Sequence, residues 1–150
     1  MNNLFNEKKS GWEDLSEEQK ETIFTFAEEY MYFLNHSKTE RETVISVKDI
    51  LDKNGFSNIC NKEKLETGDK VYYINRDKSI YAAIIGMEKL EQGLNIIGSH
   101  IDSPRLDLKP NPLYEDTGFA YFKTHYYGGI KKYQWTAIPL SIHGIIVKTD

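Results

Sequence analysis

The sequence predicts an α/β fold in which two helices precede a set of strands. Apolar residues recur at helical spacing over the first third of the chain, and after Gly55 the period of the apolar pattern shortens to that of strands. Two helices followed by strands suit an arrangement of helices layered on a sheet, either α/β or α+β.

A capping box predicts where the first helix begins. Ser16 is a suitable N-cap, and Gln19 stands three residues later, as the box requires. The pattern then predicts an amphipathic helix over residues 17–35, whose acidic pairs at 17–18 and 28–29 belong to the solvated face. Its apolar set is Ile23, Phe24, Phe26, Ala27, Tyr30, Met31 and Leu34.

A second helix is predicted over residues 41–53, and it ends at Asn54-Gly55, a pair typical of helix C-termini. The residues expected to face inward are Val44, Ile45, Val47, Ile50 and Leu51.

Strands are predicted from residue 70 onward. Residues 70–75 and 79–85 read as two strands joined by a tight turn at 76–78, and the connector "MEKLEQG" leads to a buried strand at 94–100. In "DSPRLDLKPNPLYEDTG" three prolines and one glycine argue against regular structure over most of the segment. Further strands are expected at 119–126 and 138–148. Because the chain stops in or just after an apparent strand, we expect an interrupted domain.

Composition excludes several classes of protein. The net charge is −4 with both signs interspersed, so no nucleic-acid partner is expected. No apolar run approaches the roughly 20 residues of a membrane span, and no membrane partner is expected. The N-terminus "MNNLFNEKKSGWEDL" has no apolar signal core, which favours a cytoplasmic location. Cys60 is the single cysteine, which excludes an internal disulfide and a multi-cysteine metal site.

The motif "GSHID" ends the predicted strand at 94–100 with a histidine and, two residues on, an aspartate. Residues two apart in an extended segment face the same side, so His100 and Asp102 are expected to project together. Imidazole binds metals, and a carboxylate often holds the other ring nitrogen of a metal-bound histidine. The alternative is a surface histidine at a strand end, followed by a turn-forming Asp-Ser-Pro. The pair also supplies at most two of the about three protein ligands that a catalytic zinc requires.

A longer context favours the metal site. "GSHIDSPRLDLKPNP", "YYGGIKKYQW" and "PLSIHGIIVKTD" resemble the aminopeptidase I / aspartyl aminopeptidase family of zinc metallopeptidases. The resemblance covers essentially the whole chain, including "GDKVYYINRDKSIYAAIIG" before the motif.

The resemblance implies an enzyme that removes N-terminal residues from peptides with a two-zinc site, although other divalent metals are possible. His100 is then a zinc ligand, and Asp102 is the carboxylate that orients and polarises it. The metals activate water, and a glutamate serves as general base. Residues 1–106 would open a catalytic domain with a mixed sheet and flanking helices, and residues 107–150 would begin an inserted, mostly β domain used in assembly into a homo-oligomer.

The family's bridging aspartate, adjacent Glu-Glu pair and remaining ligands lie downstream of the matched region. We therefore expect this chain to be an N-terminal portion that is inactive alone. Two alternatives remain: a non-catalytic binding or assembly module with a peptidase-like fold, and a short regulatory paralogue that co-assembles with full-length subunits.

Several other residues stay open between a functional and a structural role. His125 either reaches a substrate or neighbouring subunit, or is a plain strand histidine. His143 is a satisfied structural histidine or a ligand, and His36 suits a helix C-terminus. Gly128-Gly129 supplies a turn or forms a backbone wall near the active site. The loop acids are either solvated charges or groups that approach a metal; they are Asp107, Glu115 and Asp116. Trp135 and the tyrosines between residues 114 and 133 form an assembly surface or fill a core.

Overall fold

The computed structural model describes residues 9–149, which divide into two compact units, one ending at His36 and the other beginning at Ser37. Residues 1–8, which begin the N-terminal stretch without an apolar core, lie outside the described residues, as does Asp150.

The first unit contains one long helix, α1, over Glu17–His36. The predicted capping box is present: the Ser16 N–H donates to Gln19 Oε1 at 2.9 Å, and the Gln19 N–H donates to Ser16 Oγ at 3.2 Å. The expectation of an inward apolar face is not met within the unit, because no residue of α1 is buried and Phe24 is 61% exposed. Among residues 9–149 no helix has the length and apolar character needed to cross a membrane.

The second unit begins with helix α2 over Glu40–Lys53. Thr39 caps it in a box with Glu42, and the helix ends at Asn54, before Gly55 takes a φ of +81°. Val44 is buried, as predicted, whereas Ile45 and Ile50 are exposed and not inward as expected.

A mixed three-stranded sheet follows α2. Its strands are β1 (Ser57–Asn58), β2 (Lys70–Asn75) and β3 (Ser79–Ile84), in the order β1-β2-β3. β1 is parallel to β2, and β2 is antiparallel to β3. The hydrophobic core of the described residues is small and consists of Val44, Val71 and Tyr72. These helices and this mixed sheet confirm the predicted α/β class.

A two-stranded hairpin forms a second sheet, where β4 (Arg105–Asp116) pairs antiparallel with β5 (Phe119–Tyr127). The sequence prediction of mostly irregular structure over residues 102–118 is therefore wrong. The register shifts between Leu108 and Leu113, and Pro110 and Pro112 lie inside that irregularity. Proline is tolerated there because no ladder hydrogen bond requires its missing N–H. A short helix, α3 (Lys132–Trp135), follows the hairpin.

The strands predicted at 94–100 and 138–148 are not present. Both segments have no regular secondary structure, and their apolar side chains are exposed, with Ile97 at 101% and Ile146 at 89% of full exposure. A strand exists only by pairing with a neighbour, and within residues 9–149 neither segment pairs with one. His100 therefore lies in a segment without regular secondary structure and not at a strand end.

Candidate active site

The motif residues His100 and Asp102 form a hydrogen-bonded pair, as the sequence predicted. His100 Nδ1 lies 3.1 Å from Asp102 Oδ1 and 3.0 Å from the Asp102 carbonyl oxygen. Both partners are acceptors, so Nδ1 must carry the proton, and the lone pair of the neutral ring is then on Nε2. The imidazole is 83% exposed. This arrangement leaves Nε2 available to a metal, while the carboxylate holds the other ring nitrogen, Nδ1.

The second oxygen of Asp102 has its own partner. The Tyr127 hydroxyl donates to Asp102 Oδ2 at 2.9 Å across 25 residues of chain. This hydrogen bond is the main reason that the pKa of the Asp102 carboxyl lies below its ordinary value, with smaller help from the Asp102 backbone N–H and His100. The same bond raises the pKa of Tyr127. The carboxylate is therefore charged at neutral pH and held at both oxygens.

Arg105 fixes the ring of Tyr127. The two residues are opposite each other where β4 begins and β5 ends, and the guanidinium carbon lies 4.0 Å from the ring centroid. Arg105 is held in turn by Asp107 at 2.8 Å and by Glu40 at 3.3 Å. Because Glu40 belongs to the first turn of α2, the helix, the motif segment and the hairpin meet at one place.

The backbone closes tightly beside the motif. Gly128 directly follows Tyr127 and has a φ of +72°, and a Cβ added there would lie 3.4 Å from the Pro104 Cα. Gly128 thus supplies the positive φ expected from the sequence, and its backbone lies against Pro104, in the segment that carries Asp102.

The other candidate residues have partners of their own. His143 is held by Glu42 at 2.7 Å and by Ser141 at 2.7 Å, which supports the structural interpretation of this histidine, although no strand carries it. His125 is exposed on β5 and stacks on Tyr126 at 5.1 Å. Asp107 pairs with Arg105, whereas Glu115 and Asp116 lie at the far end of the hairpin.

Sequence reasoning missed Tyr127 and Arg105 as members of the site. Tyr127 was one of many tyrosines in the segment, and only its position directly before Gly128-Gly129 set it apart. Arg105 lies in the longer stretch "GSHIDSPRLDLKPNP", but its partners Tyr127 and Glu40 are distant in sequence, and local periodicity does not reveal them.

The donor set fits one ligand of a zinc site and not a complete one. His100 offers a free Nε2, and its Nδ1 is fixed by a carboxylate, which is the usual condition of a zinc-bound histidine. Within residues 9–149 no group of three or more His, Cys, Asp or Glu side chains is arranged to hold a metal ion.

Comparisons with known proteins agree on one family. A family model described as aminopeptidase I zinc metalloprotease (M18) matches residues 33–150. A probable M18 family aminopeptidase 1 from Clostridium acetobutylicum is 48% identical over 153 residues, which cover 99% of this chain and 33% of the relative. Another from Thermotoga maritima is 50% identical over 144 residues, which cover 96% of this chain and 31% of the relative.

The fold comparison gives the same result. The crystal structure of aminopeptidase I from Borrelia burgdorferi B31 matches with a TM-score of 0.81 at 48% identity, covering 85% of this chain and 31% of that one. The chain thus spans about a third of the length of the curated relatives it matches. With the family model matched over most of its length, this chain belongs to the aminopeptidase I zinc metalloprotease (M18) family.

Proposed function

We propose that the protein to which this chain belongs is a zinc-dependent aminopeptidase that removes N-terminal residues from peptides. The observation that carries the proposal is the His100–Asp102 pair, with Nδ1 protonated towards the carboxylate and Nε2 free, in a chain of the M18 family. The names of the relatives as probable aminopeptidases support the reaction class.

The residues of this chain have distinct roles in the proposal. His100 holds a zinc ion through Nε2, and Asp102 orients the imidazole and increases its basicity. When bound, zinc supplies an activated water molecule and polarisation of the scissile carbonyl. The general base and the remaining ligands are assigned to no residue among 9–149, where no three or more His, Cys, Asp or Glu side chains are grouped to hold a metal ion.

The proposal extends to the organisation of the protein. Residues 1–106 open the catalytic domain, and residues 107–150 begin an inserted β domain. The support for this division is that β4 and β5 form a sheet separate from β1-β2-β3. Two zinc ions per subunit, a homo-oligomer and a cytoplasmic location complete the proposal. The exposed aromatic residues of the hairpin, such as Phe119 and Phe122, support the assembly role.

The test is made on the full-length protein. We expect it to hydrolyse dipeptides and aminoacyl-p-nitroanilides, to lose activity on treatment with a chelator, and to regain it when Zn²⁺ is added back. His100→Ala should lose most of the activity and one metal ligand while the fold stays intact, because the side chain is exposed and its removal leaves no cavity.

His36→Ala is the matched control, because this histidine ends α1 in the other unit and bonds the Tyr32 carbonyl oxygen. It should keep full activity and zinc content. A His100→Ala enzyme with normal activity and metal content would refute the assignment. A full-length protein that binds peptides or copies of itself but hydrolyses nothing would instead support a binding or assembly module.

A further inference from the structure

We propose that Tyr127 is a positioning residue of the metal site: its hydroxyl fixes the Asp102 carboxylate, which in turn holds the His100 imidazole. The inference rests on the proposed function, because it assigns a role towards the metal that His100 would bind. Tyr127 belongs to the hairpin and not to the motif segment, so the hairpin takes part in the site.

The two carboxylate oxygens of Asp102 have different partners. Oδ1 faces His100 Nδ1 at 3.1 Å, and Oδ2 accepts from the Tyr127 hydroxyl at 2.9 Å. The terminal torsion of an aspartate is broad when the carboxylate is free. With a partner on each oxygen, rotation of the carboxylate breaks at least one hydrogen bond, so the direction of the imidazole is fixed through Tyr127.

The Tyr127 side chain is itself held in place. A tyrosine has two side-chain torsions, and once its ring is packed the position of its hydroxyl is set. The ring packs against the guanidinium of Arg105, which has Asp107 at 2.8 Å and Glu40 at 3.3 Å as partners. This cation–ring contact and the ion pairs of Arg105 hold the ring that carries the hydroxyl.

The neighbouring tyrosine, Tyr126, has different contacts. Its ring stacks on His125 and lies 4.1 Å from Lys132 Nζ. Tyr126 is therefore a tyrosine of the same strand, but it does not share the contact of Tyr127 with Asp102. It is a matched control for loss of a tyrosine hydroxyl.

The experiment compares Tyr127→Phe with Tyr126→Phe in the full-length, metal-free protein. Each protein is titrated with Zn²⁺ in competition with a chromophoric chelator. Tyr127→Phe keeps the ring and the Arg105 contact and loses the bond to Asp102. We expect its zinc affinity to fall by roughly 10–100-fold, as when residues that orient a metal ligand through hydrogen bonds are changed. Tyr126→Phe should stay within about twofold of the wild type, as expected for a change away from the site.

Two further readouts separate positioning from a structural role. The visible spectrum of the Co²⁺-loaded protein should change in Tyr127→Phe and not in Tyr126→Phe, because the ligand field reports the orientation of the imidazole. In an Asp102→Ala background Tyr127→Phe should weaken zinc binding by less than about twofold, since the coupling passes through the carboxylate.

Each outcome decides the inference. Wild-type zinc affinity and an unchanged Co²⁺ spectrum in Tyr127→Phe overturn it, and so does an effect of full size in the Asp102→Ala background. If His100→Ala leaves zinc binding intact, the inference and the proposed function fail together. If zinc binds through His100 but no peptide is cleaved, the proposed function fails alone, and the titration still decides the role of Tyr127.

Discussion

Asp102 is the residue on which the metal-site interpretation and the turn interpretation differ most. Its carboxylate connects the His100 ring to the Tyr127 hydroxyl. Asp102→Asn preserves the size of the side chain and removes its charge. If the carboxylate polarises a metal-bound imidazole, kcat/KM of the full-length enzyme should fall by about 10–100-fold. The measurement is kcat/KM with zinc content determined in the same samples.

The control for this change is Asp116→Asn, at the far end of the hairpin from the motif. It should leave kcat/KM unchanged within about twofold. If Asp102 only forms a turn before Ser103-Pro104, asparagine serves nearly as well. Near-wild-type kcat/KM of the Asp102→Asn enzyme would therefore show that the motif is only a surface turn.

Gly128 is the second residue with a specific requirement. Its φ of +72° is costly for residues with a Cβ, and a Cβ there would lie 3.4 Å from the Pro104 Cα. Gly128→Ala should lower the free energy of unfolding by about 1–2 kcal/mol. Because Tyr127 precedes this glycine, Gly128→Ala should also reduce kcat/KM.

Gly129→Ala is a matched control one residue away. A Cβ at Gly129 has no atom within 4 Å, and its φ lies outside the positive range. Urea denaturation of both variants gives the comparison. Equal unfolding free energies for the two variants would contradict the requirement at Gly128.

The site was predictable from sequence only where its residues are neighbours in the chain. His100 and Asp102 are two residues apart, so an extended backbone brings them to one side whether or not a strand forms. Tyr127 is 25 residues from Asp102, and local periodicity does not predict the hairpin register that places Tyr127 opposite Arg105. The sequence therefore predicts the His100–Asp102 pair, but it does not predict Tyr127, which holds the Asp102 carboxylate.

At the scale of elements, helix boundaries were predicted well because helices are closed by local bonds. Ser16 and Gln19 lie within one turn, and the box they form sets the start of α1. The same holds for the end of α2 at Asn54-Gly55. The β2–β3 hairpin was also predicted, because a short turn joins two strand-like runs; in the structure Arg76 and Asp77 of this turn take positive φ.

Strand predictions failed where pairing depends on distant residues. The apolar runs at 94–100 and 138–148 have strand-like composition, yet in the described part of the chain neither has a partner. In β4 a strand forms where none was predicted. Its prolines argue against a strand, but a register shift accommodates them. Composition indicates which segments are able to pair, and the partner decides whether they do.

The start of α2 gives a prediction of pH dependence. Glu42 accepts hydrogen bonds from the Thr39 N–H at 2.9 Å and the Lys38 N–H at 3.0 Å, and from His143 at 2.7 Å. Burial favours a higher pKa, but the hydrogen bond and charge of His143 and the two backbone N–H groups outweigh it, so the pKa of Glu42 is lowered.

A carboxyl with a lowered pKa stabilises the fold above its unfolded pKa, and the contribution is lost as the pH falls through the folded value. Glu42→Gln keeps an acceptor in the capping box and loses the charge. It should reduce the free energy of unfolding by about 1 kcal/mol at pH 7, since charged hydrogen bonds exceed neutral ones by about that amount. At pH 3 the difference from wild type should shrink.

Urea denaturation at the two pH values measures this effect. Glu63→Gln, which changes an exposed carboxyl, serves as the control and should behave as wild type at both. A deficit in Glu42→Gln that persists undiminished at pH 3 would mean that the charge of Glu42 does not stabilise the start of α2.

At the scale of the whole molecule, the candidate site joins three parts of the second unit. Arg105 contacts both Glu40 of α2 and Tyr127 of β5, and the Tyr127 hydroxyl donates to Asp102. Such convergence positions one imidazole well, but it does not supply more ligands. The chain spans about a third of the length of its curated relatives, and a catalytic zinc takes about three protein ligands.

Residues 1–150 alone should therefore lack a working zinc site. With His100 as its one proposed ligand and no metal-binding cluster among residues 9–149, this chain should neither bind Zn²⁺ tightly nor hydrolyse peptides at neutral pH. Isothermal titration with Zn²⁺ should show only weak binding, because a single imidazole lacks the additional ligands that make zinc sites tight. The full-length protein, titrated in the same buffer, is the positive control. Stoichiometric, sub-micromolar binding to residues 1–150 that survives His100→Ala would show that these residues hold a different metal site, and the role given to His100 would then be lost.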